Sequence, residues 1–174
     1  MLKIPEIAFI READAYTIAH EPIASIDLME RAATALFHRM VARLKPFQKV
    51  DVFCGSGNNG GDGVVLARLL QKGGFSVRVF LLMFSEKGSP DFETNLQRLH
   101  SLSAIEVHEM KNATDFPAIL TETLVVDALL GSGLNKPAAG IVAELIGHLN
   151  SSGALIVAVD VPSGLFADQP LGAK

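Results

Sequence analysis

The chain has 174 residues, of which 49% are hydrophobic and 20% charged, a composition that predicts one folded domain and excludes a disordered chain. Its formal net charge of −4, without any run of basic residues, disfavours a nucleic-acid partner, because phosphate binding needs a concentrated basic surface. The apolar stretches are too short to span a bilayer, the N-terminus lacks the pattern of a secretory signal, and a single cysteine excludes an internal disulfide. We therefore expect a soluble, cytoplasmic protein that binds neither nucleic acid nor membrane.

Two helices are predicted before the first strand. Apolar residues recur every three or four positions from Asp27 to Leu44, the spacing of an amphipathic helix, and Glu30 completes a pattern that resembles a capping box at its start. A shorter helix is predicted around Arg11–His20. Residues 1–46 are thus expected to form a helical arm and residues 47–174 an α/β core, with the apolar stripe of the longer helix as a candidate homodimer interface.

The rest of the chain alternates between short apolar runs and helical patterns. Nearly continuous apolar runs are typical of parallel strands that are buried on both faces. The predicted strands are Lys49–Cys54, Ser76–Phe84, Ala104–Met110, Leu124–Leu129 and Leu155–Val161. The predicted helices are Asp62–Lys72, Pro90–Leu102 with Ser89 as its N-cap, Asp115–Glu122 and Ala138–Asn150. This alternation predicts a Rossmann-like, three-layer αβα fold with a mostly parallel central sheet.

The first candidate site follows the first strand. The segment Cys54–Gly63 contains glycines with the spacing G-x-G-x-x-G, which lets the backbone approach a phosphate at the N-terminus of a helix. The alternative is that these glycines only permit close packing. The dinucleotide-binding pattern also expects an acidic residue at the end of the second strand, where Glu86 comes late after Phe84. This departure disfavours an ordinary dehydrogenase, and the absence of a Gly-Lys-Ser/Thr string disfavours ATP hydrolysis.

Two more predicted strands end near an aspartate that turn residues follow. Asp127 precedes the turn at 129–137, and Asp160 precedes the turn Pro162–Gly164. An aspartate in such a place either accepts hydrogen bonds from the backbone of the next turn or faces a ligand. A third aspartate, Asp62, follows the glycine-rich segment. Because the carboxyl ends of parallel strands share one edge of the sheet, we expect all three aspartates in one crevice.

A crevice with three carboxylates beside an anion-binding turn has an electrostatic conflict. Either the carboxyl groups change their protonation or a cation lies among them. The oxygen-rich set of Asn59, Asp127, Ser163 and loop carbonyls suits a hard cation rather than zinc. Cys54 closes an apolar strand and is predicted to be a core residue, not a nucleophile.

Four strings of the sequence resemble the NAD(P)H-hydrate epimerase family, whose domain is known as YjeF N-terminal. They are Gly57–Gly63 with Ala67 and Arg68, Val126–Leu134, Val159–Leu165, and Leu28–Ala32 in the longer of the two N-terminal helices. The resemblance implies an isomerase that repairs nicotinamide cofactors by interconverting the R and S epimers of hydrated NADH and NADPH. It implies no organic cofactor other than the dinucleotide substrate, and a dehydratase partner that is either separate or fused on the same polypeptide.

The resemblance also implies roles for individual residues. The implied substrate contacts are Asn58, Asn59, Gly60, Gly61, Asp62, Gly131, Ser132, Gly133, Leu134, Asn135, Lys136, Pro137 and Asp160. Asn59, Asp127 and Ser163 are implied ligands of one potassium ion (K+) per subunit, in agreement with the hard cation inferred from the crowded carboxylates. Epimerisation at C6 needs proton transfer, so we expect a catalytic carboxylate near that carbon, Asp160 first and Asp127 second.

The sequence departs from the family pattern at Ser56, where proline is usual, and at Phe166, where an acidic residue is common. It also ends at Lys174, soon after the third string, which predicts a domain truncated at its C-terminal end. Two alternatives stay open: a non-catalytic nucleotide-binding or protein-interaction module of the same fold, and an NAD(P)-dependent oxidoreductase. Retention of all the site strings disfavours the first alternative, and the missing ribose-binding acid disfavours the second.

Overall fold

A computed structural model describes residues 6–45, 48–83, 87–102 and 104–169. Its helices are α1 (Ile7–His20), α2 (Ser25–Val41), α3 (Asn58–Lys72), α4 (Pro90–His100) and α5 (Ile141–Ser151). Its strands are β1 (Lys49–Gly55), β2 (Ser76–Leu82), β3 (Glu106–Met110), β4 (Leu124–Ala128) and β5 (Leu155–Ala158). No helix within these ranges is long and apolar enough to cross a membrane.

The five strands form one sheet in the order β3-β2-β1-β4-β5, and every pairing is parallel. The chain runs from β1 outward to β3 and then crosses back to place β4 on the other side of β1. Strand order therefore reverses between β1 and β4, where Cys54 lies opposite Ala128. A reversal of this kind opens a crevice beyond the carboxyl ends of the two strands.

Helices cover both faces of the sheet, which confirms the predicted three-layer α/β fold. Side chains alternate along β1, so that Val52 and Cys54 contribute to the core under α2, α3 and α4, whereas Phe53 contributes to the core under α5. α2 packs on α3 through Met29 and Ala33. α1 differs from the other helices because none of its residues is buried.

Two predicted helix starts had different outcomes. The N-cap of α4 is confirmed, since the Ser89 hydroxyl oxygen accepts a hydrogen bond of 3.3 Å from the backbone N–H of Phe92. The capping box of the longer N-terminal helix is wrong, since α2 begins at Ser25 without any side-chain cap. The carboxylate of Glu30 instead binds the guanidinium groups of Arg68 on α3 and Arg98 on α4. The three helices of this layer therefore share one ion-pair network.

The structure corrects two other predicted helices. The predicted helix at Asp115–Glu122 is a 3-10 turn at Ala113–Asp115. A capping box around Asn112 starts this turn early, and Pro117 lacks the backbone N–H that its continuation as a helix needs. α3 begins at Asn58 rather than Asp62, so the glycine-rich segment is itself the first turn of the helix.

Several expectations fall on residues outside the described ranges. These are the predicted end of the second strand at Phe84 and the late acidic residue Glu86. The arm boundary at residue 46 and the chain end at 170–174 also lie outside the described residues. The expected domain limits and C-terminal truncation therefore stay predictions.

Candidate functional site

A cavity of about 700 Å³ opens beyond the carboxyl ends of β1 and β4. Its walls come from α1 and α2, from the start of α3, and from the turns that follow β4 and β5. The polar side chains that line it are Arg11, Asp14, Asn58, Asn59, Asp62, Ser132, Asn135 and Asp160. The crevice expected from the strand order is thus a chamber within the volume range of small-molecule sites, roughly 300 to 1,000 Å³.

The glycines at the start of α3 bring this helix close to the sheet. A Cβ atom on Gly60 would lie 1.7 Å from the carbonyl oxygen of Gly55, and one on Gly63 would lie 2.5 Å from the Cβ atom of Ala128. A Cβ atom on Gly61 would lie 2.8 Å from the sulfur of Met29 on α2. Close packing therefore requires these three glycines, whereas Gly57 has free space and lines the cavity.

Asp127 joins the turns that follow β4 and β5. It is buried, and its Oδ1 accepts hydrogen bonds from the Ser163 hydroxyl at 2.6 Å and from the Leu129 N–H at 3.2 Å. Its Oδ2 accepts one from the backbone N–H of Ser163 at 2.8 Å. The Ser163 hydroxyl oxygen in turn accepts from the Leu130 N–H at 2.9 Å. Both oxygens of Asp127 are therefore hydrogen-bonded, and the carboxylate does not line the main cavity. The expectation that all three aspartates lie in one crevice is wrong for Asp127, whose carboxylate the two turns bury, and holds for Asp62 and Asp160.

Asn59 carries a buried oxygen without a partner. Its Nδ2 donates a hydrogen bond of 2.8 Å to the carbonyl oxygen of Leu130, which also lies 3.2 Å from the Ser163 hydroxyl oxygen. Its Oδ1 accepts no hydrogen bond from any described residue. A buried acceptor without a partner costs roughly 1 to 3 kcal/mol, so it marks a place for a ligand. Through the Leu130 carbonyl, the Asn59 amide is connected to the Ser163 hydroxyl and the Asp127 carboxylate. An amide, a carbonyl, a hydroxyl and a carboxylate are the kinds of oxygen donor that bind a hard cation.

Asp160 follows β5 and faces the cavity. Its Oδ2 accepts a hydrogen bond of 2.7 Å from the backbone N–H of Ser132. A Cβ atom on Gly131 would lie 2.7 Å from the same oxygen, so only glycine lets the turn approach the carboxylate this closely. The turn after β4 and the end of β5 are therefore held together by Asp160 on the cavity side and by Asp127 on the buried side.

Asp62 lies among other carboxylates. Burial, together with repulsion from Asp160, Asp14 and Asp91, raises the pKa of Asp62 from 3.8 to about 7. A carboxyl group with this pKa both gives and takes a proton near neutral pH, which is what general acid–base catalysis requires. Burial, with Asp127 nearby, raises the pKa of the Cys54 thiol above its usual value, which agrees with its predicted place in the core.

Comparison with known proteins identifies the family of this chain. The family model described as YjeF-related protein N-terminus matches residues 25–173. The chain belongs to this family. A protein named NAD(P)H-hydrate epimerase from Levilactobacillus brevis is 36% identical over 168 residues, which cover 97% of this chain and 75% of that protein. One of the same name from Limosilactobacillus reuteri is 35% identical over 95% of this chain and 76% of its own length.

Two further comparisons extend this result. A bifunctional NAD(P)H-hydrate repair enzyme from Thermofilum pendens is 32% identical over 96% of this chain, which matches 32% of that protein. The crystal structure of yeast ynu0 superposes with a TM-score of 0.73 at 29% identity, covering 94% of this chain and 72% of the yeast chain. The fold therefore agrees with a solved structure over nearly the whole chain.

The structure places most of the predicted substrate contacts on the cavity wall. Those that line it are Asn58, Asn59, Asp62, Gly131, Ser132, Gly133, Leu134, Asn135 and Asp160. Gly60 and Gly61 lie behind the wall, in the contact between α3 and its neighbours. Lys136 and Pro137 are exposed beyond the lining residues.

The predicted potassium ligands are connected through the backbone of Leu130. Asn59 reaches its carbonyl oxygen from α3, and Ser163 reaches the same peptide region from the turn after β5, together with Asp127. No group of three or more His, Cys, Asp or Glu side chains among the described residues has the arrangement of a metal site. A cation would therefore depend on neutral oxygen donors in addition to Asp127.

Sequence reasoning missed the contribution of the two N-terminal helices. Arg11 and Asp14 of α1, and Ala33 and Leu36 of α2, all line the cavity. The apolar stripe of α2 indicated only packing, because one residue cannot be assigned to a core or to a cavity from its periodicity. The signal for α1 was the spacing of Arg11 and Asp14. Residues that are three positions apart on a helix lie on the same face.

Proposed function

We propose that this chain is an NAD(P)H-hydrate epimerase, an isomerase that interconverts the R and S epimers of hydrated NADH and NADPH. The observation that supports this most directly is the pair of carboxyl groups, Asp62 and Asp160, on the wall of a cavity at the strand-order reversal. The names of its relatives agree with this activity. A dehydrogenase is less well supported, since hydride transfer does not need a cluster of carboxylates.

The reaction needs both an acid and a base. C6 of the hydrated ring carries a hydroxyl group and the ring nitrogen, so its configuration is lost when either the C–O or the C–N bond opens. Opening the C–O bond puts a proton on the leaving hydroxyl group, which departs as water and leaves a C=N iminium cation at C6. Opening the C–N bond moves the hydroxyl proton to the ring nitrogen and leaves an aldehyde. In both routes the reverse step on the other face returns the proton, so the enzyme ends unchanged.

Asp160 is the proposed proton-transfer residue. Its Oδ2 is held by the N–H of Ser132, which leaves its other oxygen free to face the substrate. Asp62, with its pKa raised to about 7, is the neighbour that stores or supplies the proton. The second candidate from the sequence, Asp127, has both oxygens bonded to Ser163 and Leu129, so its geometry supports a role in holding the two turns and a cation.

We also propose that Asn59, Asp127 and Ser163 bind one potassium ion, because the buried Asn59 Oδ1 has no partner among the described residues and the Asn59 amide is linked through the Leu130 carbonyl to the other two side chains. A bound cation would offset the negative charge of the neighbouring carboxylates. The test is the thermal midpoint in KCl against NaCl and choline chloride at equal ionic strength. Asn59→Ala should lose a K+-specific stabilisation that its exposed neighbour variant, Asn58→Ala, retains; no K+-specific stabilisation of the unmodified chain would refute the site.

Two partners are proposed for the enzyme. A dehydratase, fused or separate, fits the bifunctional repair enzymes of Thermofilum pendens and Coxiella burnetii, which contain a segment similar to this chain. A second copy of the chain is the other partner, and sedimentation velocity of the protein at several concentrations tests it. A single monomeric boundary at all concentrations would refute the homodimer.

The activity is tested with pure R-NADPHX, the hydrated form of NADPH, in the presence of potassium. Chromatography follows the appearance of the S epimer beside an uncatalysed blank. Faster formation of the S epimer supports the proposal. A folded protein that binds NADP+ and gives no acceleration would refute the enzyme and favour the non-catalytic module.

A further inference from the structure

α1 lies outside the segment that the family model matches, since that segment begins at residue 25. The helix buries none of its residues, and its first N–H donates a hydrogen bond of 3.1 Å to Asp168. Nevertheless, Ile10, Arg11 and Asp14 line the main cavity. The cavity is therefore completed by a helix that contributes no buried residue to the core.

The charges on the cavity wall are unequal. Three carboxyl groups line it, those of Asp14, Asp62 and Asp160, against a single cationic side chain among the described lining residues, that of Arg11. A dinucleotide carries at least two negative charges on its pyrophosphate. These charges are repelled by ionised carboxylates, so a cationic side chain on the wall would favour binding.

Arg11 lies where it can supply a positive charge to the cavity wall. Its guanidinium makes no ion pair or hydrogen bond with any described residue, and its Nη2 lies 3.5 Å from where a Cβ atom of Gly133 would stand. It therefore approaches the turn after β4 from the opposite wall. Its planar group of N–H donors matches the geometry of two phosphate oxygens.

We propose that Arg11 is a phosphate-binding residue of this site and contacts the pyrophosphate of the bound dinucleotide. This inference rests on the proposed function, because it takes a dinucleotide as the substrate. It assigns a substrate contact to a helix that the family model does not include. It also implies that phosphate binding holds α1 against the domain, since Arg11 would then connect the helix to a ligand shared with the turn after β4.

The experiment measures binding of ADP-ribose, which has the pyrophosphate but lacks nicotinamide, by calorimetry at several salt concentrations. Arg11→Gln should weaken binding at least about tenfold and reduce the dependence of log Kd on log salt, because one charge-assisted contact is lost. Arg11→Lys should fall between Arg11→Gln and the unmodified chain. Arg43 is exposed, two residues after α2 and outside the cavity, and Arg43→Gln should bind ADP-ribose as the unmodified chain does.

Several results would overturn the inference. They are unchanged affinity in Arg11→Gln, an equal loss in Arg43→Gln, a loss with the original salt dependence, or no binding of ADP-ribose by the unmodified chain. The epimerase assay separates this inference from the proposed function. Binding that depends on Arg11 without any epimerisation refutes only the activity, whereas epimerisation with normal affinity in Arg11→Gln refutes only the phosphate contact.

Discussion

Asp127 and Asp62 lie at the same edge of the sheet but in opposite electrostatic environments. Asp127 is surrounded by donors, and its two oxygens accept three hydrogen bonds from Ser163 and Leu129. Asp62 is surrounded by other carboxyl groups, which together with burial raise its pKa to about 7. A carboxylate whose oxygens accept hydrogen bonds stabilises the folded chain. A carboxyl group surrounded by like charges lowers the stability, and its raised pKa makes it suitable for proton transfer.

Asp160 also differs from Asp127, because it faces the cavity. Its substitution is expected to have the largest effect, which is on the rate of epimerisation. Asp160→Asn should slow epimerisation by about 10²- to 10⁴-fold, the usual contribution of a general acid–base group. The fold should be retained, because the amide oxygen of asparagine can still accept from the Ser132 N–H. The measurement is the initial rate of S-epimer formation, with the thermal midpoint as a check on folding.

The matched control neutralises a carboxylate outside the cavity. Glu109 is exposed on β3, at the far edge of the sheet, and Glu109→Gln should keep the rate of the unmodified chain. Equal rates in Asp160→Asn and the unmodified chain, with equal binding of NADP+, would show that another group transfers the proton.

Loss of the Asp127 carboxylate, whose two oxygens are both hydrogen-bonded, should mainly affect the stability of the fold. Asp127→Ala leaves the N–H groups of Ser163 and Leu129 without their acceptor, and we expect the free energy of unfolding to fall by about 2 to 4 kcal/mol. Ser163→Ala removes the hydroxyl and keeps the backbone bond, so it should cost about 1 to 2 kcal/mol. Urea unfolding measures both. Asp127→Ala with the stability of the unmodified chain would contradict the role of this residue in holding the two turns.

Removing the charge of Asp62, which lies among other carboxylates, should have the opposite effect and raise the free energy of unfolding. A pKa raised from 3.8 in the unfolded chain to about 7 in the fold means that the native state favours the protonated form, so ionisation destabilises the fold as pH rises from about 4 to about 7. Asp62→Asn removes this cost. It should raise the free energy of unfolding by about 1 to 3 kcal/mol at pH 8, and by little at pH 4.

Urea unfolding at both pH values tests this sign. Glu109→Gln is again the comparison, since Glu109 is exposed on β3 and lies outside the cavity. A gain at pH 8 that also appears in full at pH 4 would mean that the benefit comes from packing and not from removal of a charge.

The fold and the two strand-end aspartates could be predicted from the sequence for a common reason. Asp127 and Asp160 stand out because each lies at the end of an apolar run, and strand ends meet at one edge of a parallel sheet. The sequence could not decide between phosphate binding and close packing for Gly60, because the decision depends on a contact with the Gly55 carbonyl that only the folded chain makes. Arg11 was missed for a related reason: α1 lacks a buried face, so the spacing of Arg11 and Asp14 indicates that they share a helix face but not which wall of the cavity this face completes.

The smallest expected effect is a change in the pKa of Asp62 when a carboxylate on α1 is removed. Repulsion from Asp14 is one of the causes that raise the pKa of Asp62, so Asp14→Asn should lower the pKa of Asp62 by a fraction of a pH unit. The loss of stability that begins near pH 4 should then end at a lower pH and be smaller. Glu12→Gln, on the same helix but outside the cavity, should leave the titration unchanged. NMR titration of the Asp62 carboxyl carbon measures this directly, and an identical midpoint in Asp14→Asn and Glu12→Gln would show that α1 does not influence the charge of the site.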